Sequence, residues 1–208
     1  MRTVLGIGLA LTVGTAAAGI PGESNLEVAQ RYFRRAELAP QGASIRSLSY
    51  LRAEELAERV VAEDPNSAEA NFLLFAARGR RLLTAGARPS IGEVWKLTAL
   101  NKYLARTLEL DPFHADALAA KGGLLLDLPP LLGGNVNAAR RHLERAVELN
   151  PTGPGTRLCF ARVLMRQGQN RAAREQVLLA AHYACVKRVP TPLAEAERLL
   201  VELGGRPL

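Results

Sequence analysis

The sequence predicts an all-α fold, an α-solenoid of about four helical hairpins with a C-terminal capping helix. Three observations carry this. A stop ending in Asp-Pro or Asn-Pro recurs at Glu63-Asp64-Pro65, Glu109-Leu110-Asp111-Pro112 and Glu148-Leu149-Asn150-Pro151. Proline there ends a helix without conflict, because its fixed φ and missing N–H matter only in the interior. Aligned on those prolines, Val60, Thr107 and Ala146 share one position and Ala57, Leu104 and Leu143 another. Ala68 and Ala70 likewise match Ala115 and Ala117. Between Asn137 and Ala180, small residues at Ala139, Ala146, Ala161, Ala173 and Ala180 mark close helix crossings. Gly168 marks the hairpin apex, where a left-handed turn costs glycine little.

Taken in order, Ser24 with Glu27 forms a capping box that opens helix A1. Leu26, Ala29, Phe33 and Ala36 are its apolar stripe, and Arg31, Arg34 and Arg35 its other side. Helix B1 is expected from Ser44 to Glu63 with Leu48, Leu51, Leu56 and Val60 inward. Asn66 with Glu69 caps A2, which carries Leu73, Leu74 and Ala77 and fades near Ala85-Gly86. Ser90 with Glu93 opens B2, which holds Val94, Trp95, Leu97, Leu100, Leu104 and Leu108. Helix A3 spans Ala115 to Leu128, and the turn Leu128-Pro129-Pro130-Leu131-Leu132-Gly133-Gly134 leads to Asn135 as N-cap of B3. A4 and B4 complete the fourth hairpin. Thr191 caps a last helix with Pro192 at its first position and Leu193, Ala196, Leu199, Leu200 and Leu203 on one face. A terminal helix of this kind covers the open end of a solenoid.

The N-terminus reads differently. Arg2 is followed by the uncharged run Val4 to Ala18, which closes on Ala16-Ala17-Ala18. That is shorter than the ~20 residues a bilayer span needs and has the make-up of a secretory signal. The expected organisation is a signal peptide at 1–18, a short lead at 19–23, the repeat domain at 24–187, and the capping helix with its tail at 190–208. The expected location is therefore exported, periplasmic or secreted, with membrane association only where the signal stays uncleaved. Export leaves 26 basic against 20 acidic residues, a net charge of +6. That balance favours acidic partners, anionic lipid surfaces or nucleic acid, although a solvated, slightly basic surface also accounts for it. Nucleic acid is not expected, since the arginines are dispersed and aromatics are 5% of the chain.

Cys159 and Cys185 flank the Gly168 apex unequally, which sets them about 10 Å apart along the hairpin axis. A disulfide tolerates a Cα separation of about 7 Å. Two buried free thiols are expected. His114, His142 and His182 fall on separate elements with no metal-binding spacing. Neither glycine pair, Gly122-Gly123 or Gly133-Gly134, follows a strand, so no phosphate-cradling loop is implied. No nucleophile–base pattern, cofactor motif or metal set stands out, and the chain is read as non-catalytic.

The recurrent stops and small-residue positions resemble the tetratricopeptide repeat (TPR) family across residues 24–187. The chain departs from that family where Asn71, Leu118 and Arg157 replace its helix-A aromatic, and in proline spacings of 47 and 39 residues, against a period of about 34. The resemblance implies a concave groove lined by the A helices. Its positions here are Phe72, Ala76 and Arg80 on A2, Ala119, Gly123 and Leu126 on A3, and Leu158, Arg162, Met165 and Arg166 on A4. The lysine and asparagine of the family's carboxylate clamp are absent. Apolar residues with arginines at one end suit an acidic or amphipathic peptide or protein. A deep cavity enclosed by Phe72, Leu126 and Met165 would instead suit a small ligand. The turn at Leu128 to Gly134, in an exported chain of four hairpins, is also similar to the T-component of tripartite ATP-independent periplasmic (TRAP) transporters. That resemblance rests on Leu128 to Pro151 and implies a periplasm-facing accessory subunit that works with a substrate-binding protein. It also implies a lipoprotein, for which no cysteine stands near residue 18.

Overall fold

A computed structural model describes residues 23–40, 42–84 and 91–204, the side chains of 83–98 excepted. The expected signal peptide, the lead up to residue 22, the Ser90–Glu93 cap and the packing of Val94, Trp95 and Leu97 lie outside the described residues.

Among the described residues the chain forms α1 (Asn25–Leu38), α2 (Ser44–Glu63), α3 (Ala68–Thr84), α4 (Ile91–Leu110), α5 (Ala115–Asp127), α6 (Val136–Leu149), α7 (Pro154–Arg166), α8 (Asn170–Val186) and α9 (Pro190–Glu202). Each helix packs on the next, and the first four pairs are the expected hairpins. The core is laid out along the stack rather than gathered at one centre. One cluster joins Ala29, Leu56, Ala57, Leu73 and Leu74. A second joins Leu126, Ala139, Leu143 and Val163. A third joins Leu158, Ala161, Ala173, Val177 and Ala180 with Ala196, Leu199 and Leu200 of α9. The small residues sit where helices approach closest: Ala139, Ala146, Ala161, Ala173 and Ala180 are all fully buried. Gly168 has φ +73°, as the apex requires.

Several expectations need correction. Leu48 and Leu51 point outward, with Leu48 61% exposed. The inner face of α2 instead carries Arg46, Ser49, Tyr50, Ala53, Glu54 and Ala57. Glu54 is held there because Arg78 and Arg81 of α3 each donate Nε to it at 2.7 Å. Burial alone would raise its pKa, but the two guanidinium groups outweigh burial and lower it. Fixing this carboxylate inward rotates the leucines of α2 to the surface. The cap of α3 is Ser67, whose Oγ accepts from the Ala70 N–H, and not Asn66, which accepts from Arg106. Helix α9 begins at Pro190, two residues earlier than expected, so Thr191 lies inside it. Cys159 and Cys185 are both free, but Cys185 is exposed, because Ala181 and Ala184 take the inner positions of α8.

The departures from the TPR pattern are absorbed locally. Asn71 Nδ2 donates to the Pro65 carbonyl at 3.1 Å, and Arg157 Nε to the Pro151 carbonyl at 2.7 Å. Six residues after the first and third stops, a buried polar side chain thus ties the new helix back to the proline before it. The turn between α5 and α6 is a single 3₁₀ segment, Pro130–Leu132, with Leu131 fully exposed at its tip. Asn135 Oδ1 caps α6 by accepting from the Ala138 N–H.

Helix α9 does more than cover the last hairpin. Besides α8 and α7 it touches α1. Arg46, 5% exposed, donates Nη1 to the Ala39 carbonyl at 2.9 Å and to the Thr191 hydroxyl at 3.4 Å. The two ends of the stack therefore meet.

Candidate functional site

The inner face is built from α1, α3, α5 and α7, with α9 beside α7; α1 contacts α3, and α5 contacts α7. Arg80 of α3 reaches Glu37 of α1 at 3.2 Å. Glu37 also accepts from the Tyr50 hydroxyl, which in turn accepts from Arg46 Nη2 at 3.3 Å. Burial, helped by the Glu37 carboxylate, pushes the Tyr50 phenol up to about 12. Farther along, Arg162 of α7 pairs with Asp127 at the end of α5. Burial works against the Arg162 charge, but the Asp127 charge and hydrogen bond hold its pKa above the ordinary value.

Cys159 sits among these groups. Burial pushes its thiol up to about 11, and the charges of Arg162, Glu195, Asp127 and Arg80 all act on it. The inner wall carries the Arg80–Glu37 pair, from α3 and α1, and the Arg162–Asp127 pair, from α7 and α5. Its charges are largely balanced by the chain's own carboxylates, and its thiol stays protonated, hence unreactive, at neutral pH.

Of the residues singled out by the TPR resemblance, Leu126 and Leu158 belong to the core, at 3% and 1% exposure. Phe72 lies against the ring of His114, centroids 4.7 Å apart. Gly123 faces Cys159, with ordinary van der Waals room for a Cβ. Phe72, Leu126 and Met165 occupy three different settings rather than one enclosed cavity. Arg162, Met165 and Arg166 are brought together. They line a cleft of about 410 Å³ whose other wall is Asn170 of α8 and Arg198, Leu199, Glu202 and Leu203 of α9. Arg166 is exposed and makes no ion pair among the described residues. Arg198 is held only loosely, 3.8 Å from Glu195. The cleft is mostly polar: Arg166 and Arg198 stand with the Glu202 carboxylate beside Met165, Leu199 and Leu203.

Two features escaped the sequence reading. The apolar stripe of α9 predicts a covering role alone, although Arg198 and Glu202 fall on the side away from Leu193, Ala196 and Leu200. His114 is the N-cap of α5, its Nδ1 accepting from the Ala117 N–H at 3.3 Å while Nε2 faces Glu69 at 3.3 Å. A histidine is an uncommon cap, and no spacing rule points to it. Burial lowers the His114 pKa, but Glu69, with Asp116 and Asp111, raises it overall. Protonation strengthens the Glu69 contact at the expense of the cap, because Nδ1 then carries a proton.

A run of helical hairpins closed by α9 defines the protein as an all-α helical-repeat protein. The sequence profile of the TRAP transporter T-component matches residues 26–195, and the chain belongs to that family. The match spans nearly all the described helices, so membership does not depend on the turn after α5 or on a cysteine near residue 18. Among solved structures, the chain is similar to one titled MamA MSR-1 C2, with 16% identity, a TM-score of 0.43, and 78% of this chain and 94% of that one covered. It is also similar to the PilF protein of Pseudomonas aeruginosa, with 15% identity, a TM-score of 0.33, and coverage of 86% and 93%. A comparison with curated protein sequences finds no match.

Proposed function

We propose that the protein is an exported, non-catalytic accessory subunit of a TRAP-type transporter that holds a protein partner, such as the substrate-binding protein, through the α7–α9 cleft. The observation that carries this reading is the unpaired Arg166 beside the loosely held Arg198 over Met165, Leu199 and Leu203. Arginine's planar fork takes a carboxylate in two parallel hydrogen bonds, and leucine and methionine supply adaptable apolar contact. Arg80 and Arg162 have a different part. Each is engaged by Glu37 or Asp127, so they set the shape of the inner wall instead of meeting the partner first.

A peptide or protein ligand is favoured over a small molecule because Phe72, Leu126 and Met165 do not enclose a common space. Export is favoured by the uncharged run Val4 to Ala18 and its small-residue end. No helix of the described residues is long and apolar enough to cross a membrane.

The test is affinity capture from envelope extracts with the native protein and with Arg166→Ala. The native protein should retain the transporter's substrate-binding protein, and the variant should lose it. Sequencing of the exported form should begin near Gly19. Intact Met1 recovered from membranes, or equal capture by both proteins, contradicts the reading.

A further inference from the structure

The outer face at the junction of α1 and α2 has no role in the cleft. Arg31, Arg34, Arg35 and Leu38 recur at the three- and four-residue spacing that puts them on one side of α1. With Ala39, Pro40 and Ile45 they line one shallow depression, and Leu48 follows Ile45 by one turn on α2. Leu38 is 54% exposed. Arg34 and Arg35 are exposed and make no ion pair among the described residues; only Arg31 is paired, with Glu23 at 2.7 Å. Exposed aliphatic side chains rimmed by unpaired cations form an amphipathic patch here.

We infer that this face docks on an anionic lipid surface, with Leu38, Ile45 and Leu48 entering the headgroup layer and Arg34 and Arg35 meeting lipid phosphates. Long arginine stems lie along apolar surface while their charged ends reach the headgroups, which is the make-up of an interfacial helix. Other occupants fit less well. A second copy brought in by two-fold symmetry buries the same patch on both protomers, and its lining offers no carboxylate to meet the arginines. The first 22 residues carry Arg2 as their one charged side chain and bring no carboxylate to this face. The Glu23–Arg31 pair holds the start of the described chain at the rim of the depression. The sequence ties membrane contact to retention of the uncharged run Val4 to Ala18. The α1–α2 face supplies a second, peripheral route that is separate from the α7–α9 cleft.

The experiment is co-sedimentation of the purified exported form, beginning near Gly19, with vesicles of phosphatidylcholine, alone or mixed with phosphatidylglycerol. Binding should favour the anionic vesicles and fall as salt rises. Reversing two charges, Arg34→Glu with Arg35→Glu, should lower partitioning at least about tenfold, since each basic residue near the surface contributes appreciably. Leu38→Ser with Ile45→Ser should also weaken it. The charge-matched pair Arg141→Glu, Arg174→Glu, also exposed and on α6 and α8, should change it far less. Circular dichroism checks that each variant is folded, and Arg34→Gln with Arg35→Gln repeats the test with a milder change. Equal loss in the two charge-reversed pairs, or no preference for anionic vesicles, overturns the inference. So does retention of the chain by polyglutamate but not by vesicles, which assigns the face to an acidic protein.

Discussion

Gly122 of α5 lies directly under the Leu143 side chain of α6: a Cβ added there would stand 2.5 Å from Leu143 Cγ and 3.1 Å from the Ala139 carbonyl oxygen. The crossing of the third hairpin is therefore closed by a glycine meeting a leucine, with Ala139 alongside.

Gly122→Ala should thus destabilise the fold by about 1–3 kcal/mol, through overpacking. Gly155 makes the contrast, because nothing lies within 4 Å of a Cβ built on it. Gly155→Ala should be neutral or stabilising by up to about 1 kcal/mol, as alanine is the better helix former. Thermal denaturation should show a lowered midpoint for Gly122→Ala and an unchanged or raised one for Gly155→Ala. Destabilisation of similar size in both would contradict the packing.

Arg188 occupies a position suited to glycine. It has φ +54°, and the end of α8 is closed by Val189 N–H to the Ala184 carbonyl at 3.0 Å and Arg188 N–H to the Cys185 carbonyl at 3.1 Å. The end of α7 is closed the same way by Gln169 to Leu164 and Gly168 to Met165. Arg188→Gly should stabilise by up to about 1 kcal/mol by relieving the left-handed strain. Gly168→Ala should cost about 1 kcal/mol for the converse reason. Chemical denaturation measures both; a destabilised Arg188→Gly would show that its side chain holds the turn.

The hairpin boundaries and small-residue crossings were legible because they rest on local rules: proline stops, caps and alanine spacing. Ala139, Ala173 and Gly168 needed nothing beyond sequence neighbours to be placed. The inner face of α2 was not legible, because Glu54 is buried only by Arg78 and Arg81, which lie 24 and 27 residues farther on. The meeting of the two ends was hidden for the same reason, since Arg46 and Thr191 are 145 residues apart. In the site, Arg162, Met165 and Arg166 could be read from one helix. Their partners on α9 could not, because a covering helix and a cleft wall have the same apolar stripe and differ only in what the other side faces.

Glu54 sets a pH dependence. Its pKa is lowered in the folded state from an ordinary value of 4.5, so the stability it contributes is present above that value and lost as pH falls through the folded value. Acid denaturation should accordingly be less steep in Glu54→Gln, which should also lose about 2–4 kcal/mol near neutral pH by breaking a buried charge network. An unchanged acid limb in the variant would remove Glu54 from the explanation.

The two thiols should separate in reactivity. Cys185 is exposed, whereas burial holds the Cys159 pKa near 11. Maleimide at neutral pH should label one thiol rapidly and the second only on unfolding, and Cys185→Ser should abolish the fast phase. Fast labelling that survives Cys185→Ser would mean that the inner wall opens to solvent.

Calorimetric titration of the transporter's substrate-binding protein into the native chain, Arg166→Ala and Arg141→Ala tests the cleft most directly. Both substitutions remove one exposed positive charge, so a diffuse electrostatic attraction must weaken equally in the two. A carboxylate seated between Arg166 and Arg198 predicts at least about a tenfold weaker affinity for Arg166→Ala, with Arg141→Ala close to native. Equal weakening in both variants, or native affinity in Arg166→Ala, would contradict the assignment of the α7–α9 cleft as the partner site.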